Sequence, residues 1–131
     1  MNYLLDTHAL IWYASASTQL SLNAREIIEN TENNIFISII SLFELSIKFN
    51  IGKLETTHRI SDFFDIAHRN NISILSINKE HLSQYTLLPL FDNHKDPFDK
   101  LIIATAMIEN LTIVTTDRKF ELYKEMVGII W

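Results

Sequence analysis

Short apolar runs alternate along the chain with longer segments whose apolar residues recur at helical spacing. The runs predict strands at residues 3–5, 35–39, 72–77 and 112–116, and an edge strand at 129–131. Helical spacing predicts helices over 9–13, from about 22, from 41 to about 52, and over 62–69, 79–87, 96–109 and 117–123. This alternation of strands and helices predicts an α/β fold.

Capping residues indicate where several of these helices begin. Ser21 or Asn23 can cap the second helix, and Ser41 and Glu44 have the spacing of a capping box for the third. Further expected boundaries are an end of the third helix near Gly52, a cap at Ser61, and Asp96 as N-cap before Pro97 in the helix with the clearest signal.

The bulk composition predicts a single domain over residues 1–131. The chain has 131 residues, 47% of them hydrophobic, with only 2 Gly and 2 Pro, so long linkers are not expected. The absence of cysteine excludes disulfides, thiolate metal sites and cysteine nucleophiles. No apolar run approaches the roughly 18 residues of a membrane span, and the N-terminus has no basic targeting segment, so a cytoplasmic protein without a membrane partner is expected.

The net charge of −5 argues against non-specific binding of nucleic acid through a broad basic surface. It does not exclude nucleic-acid chemistry, because bound cations can invert the field of an acidic site. Two acids, Asp6 and Asp117, directly follow predicted strands, and Glu44 and Asp99 fall in the first turns of predicted helices. Because ligands of an open parallel sheet gather beyond the carboxyl ends of its strands, all these acids are expected at one crevice.

A cluster of carboxylates is tolerable chiefly when cations neutralise it. Oxygen ligands without cysteine or a histidine pair select hard cations, so Asp6, Glu44, Asp99 and Asp117 predict a site for Mg²⁺ or Mn²⁺. Such ions can lower the pKa of a water and stabilise a leaving oxygen, which is sufficient for phosphodiester hydrolysis. In-line attack by water would leave a 5′-phosphate and a 3′-hydroxyl.

Structural roles compete with this interpretation at each position. Each acid alone can serve as a helix cap. Lys48 lies four residues after Glu44, which is the spacing of a helical ion pair, and contact with RNA phosphate is its alternative role. Thr115, Thr116 and Ser38 can support a metal-bound water or fill sheet positions. The five histidines lack metal-ligand spacing and are expected at the surface or partly buried, with His94 notable for its proximity to Asp96.

Four motifs, in order, resemble the VapC-type PIN-domain ribonucleases, the toxins of bacterial type II toxin–antitoxin pairs. The resemblance covers nearly the whole chain. Its motifs are 5–12 (LDTHALIW), 38–48 (SIISLFELSIK) with 52–54 (GKL), 94–106 (HKDPFDKLIIATA) and 114–117 (VTTD), followed by Tyr123 and the terminal Ile-Ile-Trp.

The resemblance implies a three-layer domain with a central, mainly parallel sheet of four to five strands flanked by helices. It also implies a homodimer that cleaves an RNA substrate endonucleolytically and is inhibited by a small cognate antitoxin protein. The implied metal-binding and catalytic residues are Asp6, Glu44, Asp99 and Asp117, with Asp96, Thr116 and Thr7 as accessory residues and Lys48, Lys100 and Arg118 as RNA-phosphate contacts. Many relatives carry Arg where this chain has Lys100, which keeps the charge but loses a bidentate donor.

Two other functions remain open at this stage. One is a catalytically silent PIN module that binds RNA or a protein partner. The other is a phosphatase with Asp6 as nucleophile, although such enzymes need a second Asp two positions later, where this chain has His8. A transfer RNA, a ribosomal loop or a messenger RNA as substrate, and one metal ion or two, are all compatible with these motifs.

Overall fold

The computed structural model describes residues 1–54 and 56–131 and contains one five-stranded sheet. The strands lie in the order β3-β2-β1-β4-β5, and every neighbouring pair is parallel. Their bounds are β1 Asn2–Leu5, β2 Asn34–Ser38, β3 Ile72–Leu75, β4 Thr112–Val114 and β5 Ile129–Ile130.

In the described part of the chain, six α-helices and one 3₁₀ helix cover the two faces of the sheet. They are α1 Thr7–Ala14, α2 Leu22–Glu29, α3 Ile39–Asn50, α4 Ile60–Arg69, α5 Lys79–Leu87, α6 Pro97–Glu109 and the 3₁₀ helix Arg118–Tyr123. Neighbouring strand residues point to opposite faces, so Leu5 packs with α1 to α4, whereas Leu4 packs with α6 and the 3₁₀ helix. The predicted α/β fold, with helices on both sides of a parallel sheet, is confirmed.

The order of the strands creates a switch point between β1 and β4. From β1 the chain extends the sheet in one direction through β2 and β3, and then returns to the other side of β1 for β4 and β5. The connections that leave the carboxyl ends of β1 and β4 therefore diverge, which opens a crevice at that edge of the sheet. Asp6 follows β1 directly, and Asp117 follows β4 after two threonines.

The start of α3 differs from the prediction. The N-cap is Ser38, whose hydroxyl accepts a hydrogen bond from the Ile40 backbone N–H at 3.1 Å, so the capping box predicted at Ser41 and Glu44 is wrong. The β-branched Ile39 and Ile40 favour a strand, but the side chain of Ser38 offers the helix a local start. Glu44 consequently lies in the second turn of α3 rather than the first.

Two other predicted caps are settled by hydrogen bonds. Ser21, not Asn23, caps α2 by accepting from the Ala24 N–H at 2.9 Å. Ser61 lies inside α4, where Asp62 instead accepts from the backbone N–H of Arg59 at 2.6 Å, so the cap predicted at Ser61 is wrong.

The predicted ends of four strands are too late, by one residue for β2 and β5 and by two for β3 and β4, whereas the bounds of α5 and the start of α6 are confirmed. β3 ends at Leu75 and β4 at Val114, each two residues before the predicted end. The bounds of α5 and the pairing of Asp96 as N-cap with Pro97 in α6 are as predicted. Within the described ranges, no helix combines the length and apolar character needed to cross a membrane.

Candidate functional site

A pocket of about 220 Å³ opens at the switch point and contains all the acids that the sequence singles out. We call it the acidic pocket. It is lined by Asp6, Thr7, His8, Glu44, Lys48, Asp96, Asp99, Asp117 and Phe120. Thr116 and Arg118 line an adjoining depression of about 310 Å³, which shares Asp117 with the acidic pocket.

Asp6 is the most constrained of the acids. It is only 6% exposed, and its Oδ1 caps α1 by accepting from the Ala9 N–H at 2.6 Å. Its Oδ2 accepts a hydrogen bond from the hydroxyl of Thr115. Burial raises the pKa of Asp6, and the hydrogen bonds from Thr115 and Ala9 oppose that rise. The carboxylate is therefore fixed in place by both neighbouring segments.

Thr115 also organises Asp117. The hydroxyl of Thr115 accepts from the Asp117 backbone N–H at 3.1 Å while it donates to Asp6. Asp117 is the N-cap of the 3₁₀ helix, with Oδ1 accepting from the Lys119 N–H at 3.0 Å. A single buried hydroxyl thus joins the ends of β1 and β4, whereas Thr116, the accessory residue implied by the family resemblance, is exposed.

Glu44 enters the acidic pocket from α3. Its Oε1 accepts a hydrogen bond from the Thr7 hydroxyl at 2.8 Å, and the Nζ of Lys48 lies 3.7 Å from its Oε2. The ion pair expected from the spacing of Glu44 and Lys48 is present. Thr7 therefore acts on the site through Glu44.

Asp99 lies in the first turn of α6, behind the cap formed by Asp96. The Oδ1 of Asp96 accepts from the N–H groups of Phe98 at 2.9 Å and Asp99 at 3.2 Å. Burial, followed by repulsion from the other acids of the pocket, raises the pKa of Asp99 to about 7. The acids that act on it electrostatically are Asp96, Glu44, Asp117 and Asp6. The carboxylates are thus close enough to oppose one another's ionisation.

The chemistry of this donor set fits a hard divalent cation. All the acidic side chains supply oxygen, and the positive charge of an ion would relieve the repulsion that raises the pKa of Asp99. In the part of the chain that the structure describes, however, no three Asp, Glu, His or Cys side chains are grouped so that they could hold a metal ion. Thr7 and Lys48 contact the two carboxylate oxygens of Glu44, and Thr115 donates to Oδ2 of Asp6.

The prediction that the histidines lie at the surface or are partly buried is wrong for two of them. His94 is 2% exposed, with Nδ1 2.7 Å from the Tyr123 hydroxyl and Nε2 3.4 Å from Asp99 Oδ2. His81 is fully buried and contacts Glu109 at 2.8 Å. The only sequence signal for His94 was its position shortly before the acids of α6.

Lys100 does not line the acidic pocket. It is 7% exposed, and its Nζ lies 4.9 Å from the centre of the Tyr85 ring. The fourth residue of α6 faces α5, which explains this burial. The structure gives no support to the predicted contact between Lys100 and RNA phosphate.

Solved structures with the same fold include bacterial toxin–antitoxin complexes. The chain is similar to VapBC2 from Rickettsia felis bound to a promoter DNA fragment (TM-score 0.68, 23% identity, 99% of this chain and 98% of that chain). It is also similar to a toxin–antitoxin complex from Klebsiella pneumoniae, with a TM-score of 0.63 and 20% identity over 98% of this chain and 96% of that chain. A third is VapBC-5 from Mycobacterium tuberculosis, a member of the VapBC family of toxin–antitoxin systems. Its TM-score is 0.60, with 16% identity over 98% of this chain and 95% of that chain. At these identities the similarity establishes the fold.

The sequence itself identifies the family. No curated protein sequence matches the chain. The family model for the PIN domain, by contrast, matches residues 3–126, a range that includes every residue lining the acidic pocket. The chain therefore belongs to the PIN domain family.

Proposed function

We propose that this protein is a metal-dependent endoribonuclease and the toxin of a type II toxin–antitoxin pair. The observation that carries the proposal is the convergence of Asp6, Glu44, Asp99 and Asp117, from four separate segments, on one pocket at the switch point of the sheet. Helix capping accounts for Asp6 and Asp117 individually, but not for Glu44, for the convergence of the four acids or for the raised pKa of Asp99.

The four acids would hold Mg²⁺ or Mn²⁺. When bound, the cation supplies an activated water and stabilises the charge that develops on the phosphate. The protein's part is to fix the carboxylates: Thr115 and the Ala9 N–H hold Asp6, and Thr7 holds Glu44. Asp96 contributes by ordering the first turn of α6, which carries Asp99.

RNA is the proposed substrate, and its phosphates would meet positive charge at the rim of the acidic pocket. Lys48 lines the pocket, and the exposed Arg118 follows Asp117 in the adjoining depression. The net charge of −5 argues against a broad basic surface that would bind RNA elsewhere on the chain. Thr116 lies in the same depression and would assist there.

The proposed partners are a cognate antitoxin and a second copy of the chain, in the bacterial cytoplasm. This part of the proposal is supported by the fold, which the chain shares with VapBC and other toxin–antitoxin complexes. An antitoxin that presents Arg to the acidic pocket would fit its charge and would compete with the cation.

Cleavage of a structured RNA by purified protein tests this function. We expect cleavage with Mg²⁺ or Mn²⁺, loss of cleavage in EDTA, and loss in Asp6→Asn and Asp99→Asn. Asp65→Asn, which alters an exposed acid of α4, is the matched control and should cleave normally. Products should carry a 5′-phosphate and a 3′-hydroxyl. Full cleavage by the folded Asp6→Asn and Asp99→Asn variants would refute the proposal.

One observation favours a second candidate, a silent PIN module that binds RNA or a protein without cutting it. Among residues 1–54 and 56–131 the acids are not grouped at metal-binding distances. A silent module would retain RNA intact in the presence of Mn²⁺, and its binding would be unchanged in Asp6→Asn. The cleavage assay therefore distinguishes the two functions.

A further inference from the structure

A buried line of three side chains leads from the core to the acidic pocket. The hydroxyl of Tyr123 lies 2.7 Å from Nδ1 of His94, and Nε2 of His94 lies 3.4 Å from Oδ2 of Asp99. Tyr123 is fully buried and His94 nearly so, whereas the side chain of Asp99 remains 19% exposed at the pocket. Only the last member of the line can therefore reach a ligand in the pocket.

Aromatic packing holds the imidazole of His94 in one orientation. Its ring meets the Tyr123 ring edge to face at 5.3 Å between centroids and lies 6.3 Å from the Phe120 ring. The Phe91 ring packs edge to face on Tyr123 at 5.2 Å, and the Phe91 carbonyl accepts from the His94 backbone N–H at 3.1 Å. Both the ring and the backbone of His94 are thus fixed.

The contact with the Asp99 carboxylate selects the tautomer of His94, because a carboxylate only accepts, whereas the Tyr123 hydroxyl can donate to Nδ1 or accept from it. A neutral imidazole has one N–H, and its other nitrogen is an acceptor. When the Tyr123 hydroxyl donates to Nδ1, the proton of the imidazole is on Nε2 and points to Asp99. The opposite tautomer would set the lone pair of Nε2 against a carboxylate oxygen. The line therefore delivers one donor to Oδ2 of Asp99, and the second carboxylate oxygen can bind a cation.

We propose that Tyr123 and His94 are positioning residues that hold the Asp99 carboxylate in the orientation in which it binds the divalent cation. The inference deepens the proposed function and rests on it, because it requires a cation at Asp99. Hydrogen-bond partners of metal ligands commonly change metal affinity by about 10- to 100-fold when they are removed.

A second buried histidine in the same molecule provides the matched structural control. His81 accepts from the Asn78 N–H through Nδ1 at 3.2 Å, and its Nε2 contacts Glu109 at 2.8 Å. Glu109 is at the last position of α6 and Asp99 is in the first turn, roughly 15 Å apart along the helix axis. His81 has the same local chemistry as His94 but lies far from the acidic pocket.

The test is the affinity of the full chain for Mn²⁺, measured by electron paramagnetic resonance or calorimetry without RNA. Tyr123→Phe keeps the packed ring and removes only the hydroxyl, so it should weaken Mn²⁺ binding about tenfold. His94→Leu should weaken it at least as much. His94→Gln should restore part of the affinity, because an amide N–H can replace the donor to Asp99. His81→Gln should leave Mn²⁺ affinity unchanged, whatever its effect on thermal unfolding.

The outcomes separate this inference from the proposed function. If the wild type binds Mn²⁺ and folded Tyr123→Phe and His94→Leu bind it with the same affinity, the positioning role alone is overturned. Equal losses in His94→Gln and His94→Leu would overturn the role of the donor. No binding of Mn²⁺ by the wild-type chain would contradict both proposals. Saturating Mn²⁺ should bring RNA cleavage by Tyr123→Phe back to the wild-type kcat.

Discussion

The hydroxyl of Thr115 donates a hydrogen bond to the carboxylate of Asp6 across a sequence separation of 109 residues. The bond joins the carboxyl ends of β1 and β4, the two strands on either side of the switch point. It fixes the acid that lies deepest in the acidic pocket, and both partners are buried. The same contact contributes to the stability of the fold and to the geometry of the site.

Replacing Thr115 with valine should destabilise the protein. The change keeps the shape of the side chain but removes the hydroxyl that donates to Asp6. Because a buried acceptor then loses its partner, the free energy of unfolding should fall by about 1–3 kcal/mol. The pKa of Asp6 should rise further, because the Thr115 hydrogen bond lowers it. Urea unfolding measures the first effect. The exposed Thr116→Val is the control, with an expected change within about 0.5 kcal/mol. Equal stability of the two variants would contradict the structural role of Thr115.

Stability without metal should fall as the pH rises from about 4 to about 7. The folded protein raises the pKa of Asp99 from its ordinary value of 3.8 to about 7, so the folded state holds this proton more tightly than the unfolded state does. The stabilisation is complete below the unfolded pKa and is lost as the pH passes the folded pKa. Urea unfolding in EDTA across this pH range measures the slope.

The variant Asp99→Asn isolates this effect. It removes the titrating group and its charge, so its pH slope should be flatter and it should be more stable than the wild type at pH 8 in EDTA. Asp65→Asn should keep the wild-type slope. An unchanged slope in Asp99→Asn would show that the acids of the pocket do not act on Asp99 as described.

Replacing Lys48 should mainly change the KM for RNA, whereas replacing Lys100 should mainly change the stability of the fold. Lys48→Met removes a partly exposed ion pair worth about 0.2–0.5 kcal/mol, but loss of a phosphate contact should raise the KM for RNA about tenfold. Lys100→Met removes a buried cation over the Tyr85 ring and should lower stability by about 1–2 kcal/mol with little change in KM. Steady-state kinetics and thermal unfolding distinguish these outcomes.

The matched control for the lysine variants is Lys79→Met, whose side chain is 90% exposed on α5. It should change neither stability nor KM. A rise in KM for Lys100→Met and none for Lys48→Met would reverse the assignment of the two residues.

Local sequence patterns predicted the features that depend on neighbouring residues. The short apolar runs predicted each of the five strands, and Asp96 with Pro97 marked the start of α6. The acids following β1 and β4 could be assigned to one crevice, because parallel strands end at the same edge. The family resemblance stated from the motifs is confirmed by the match to the PIN domain.

Features that depend on packing between distant segments could not be predicted. The burial of His94 and Lys100 depends on Tyr123 and Tyr85, which belong to other elements. The role of Thr115 rather than Thr116 follows from β4 ending at Val114, where one residue determines the side that the hydroxyl faces.

Locating Mn²⁺ in crystals of the protein by its anomalous scattering tests whether the carboxylates of the acidic pocket share a divalent cation. We expect a peak in the acidic pocket, within coordination distance of Asp6 and Asp99, with Glu44 and Asp117 turned towards it, and no peak in Asp6→Asn crystals. A fully Mn²⁺-equilibrated crystal with no peak in the acidic pocket, or with a peak only elsewhere, would contradict the proposal that these carboxylates bind the catalytic ion.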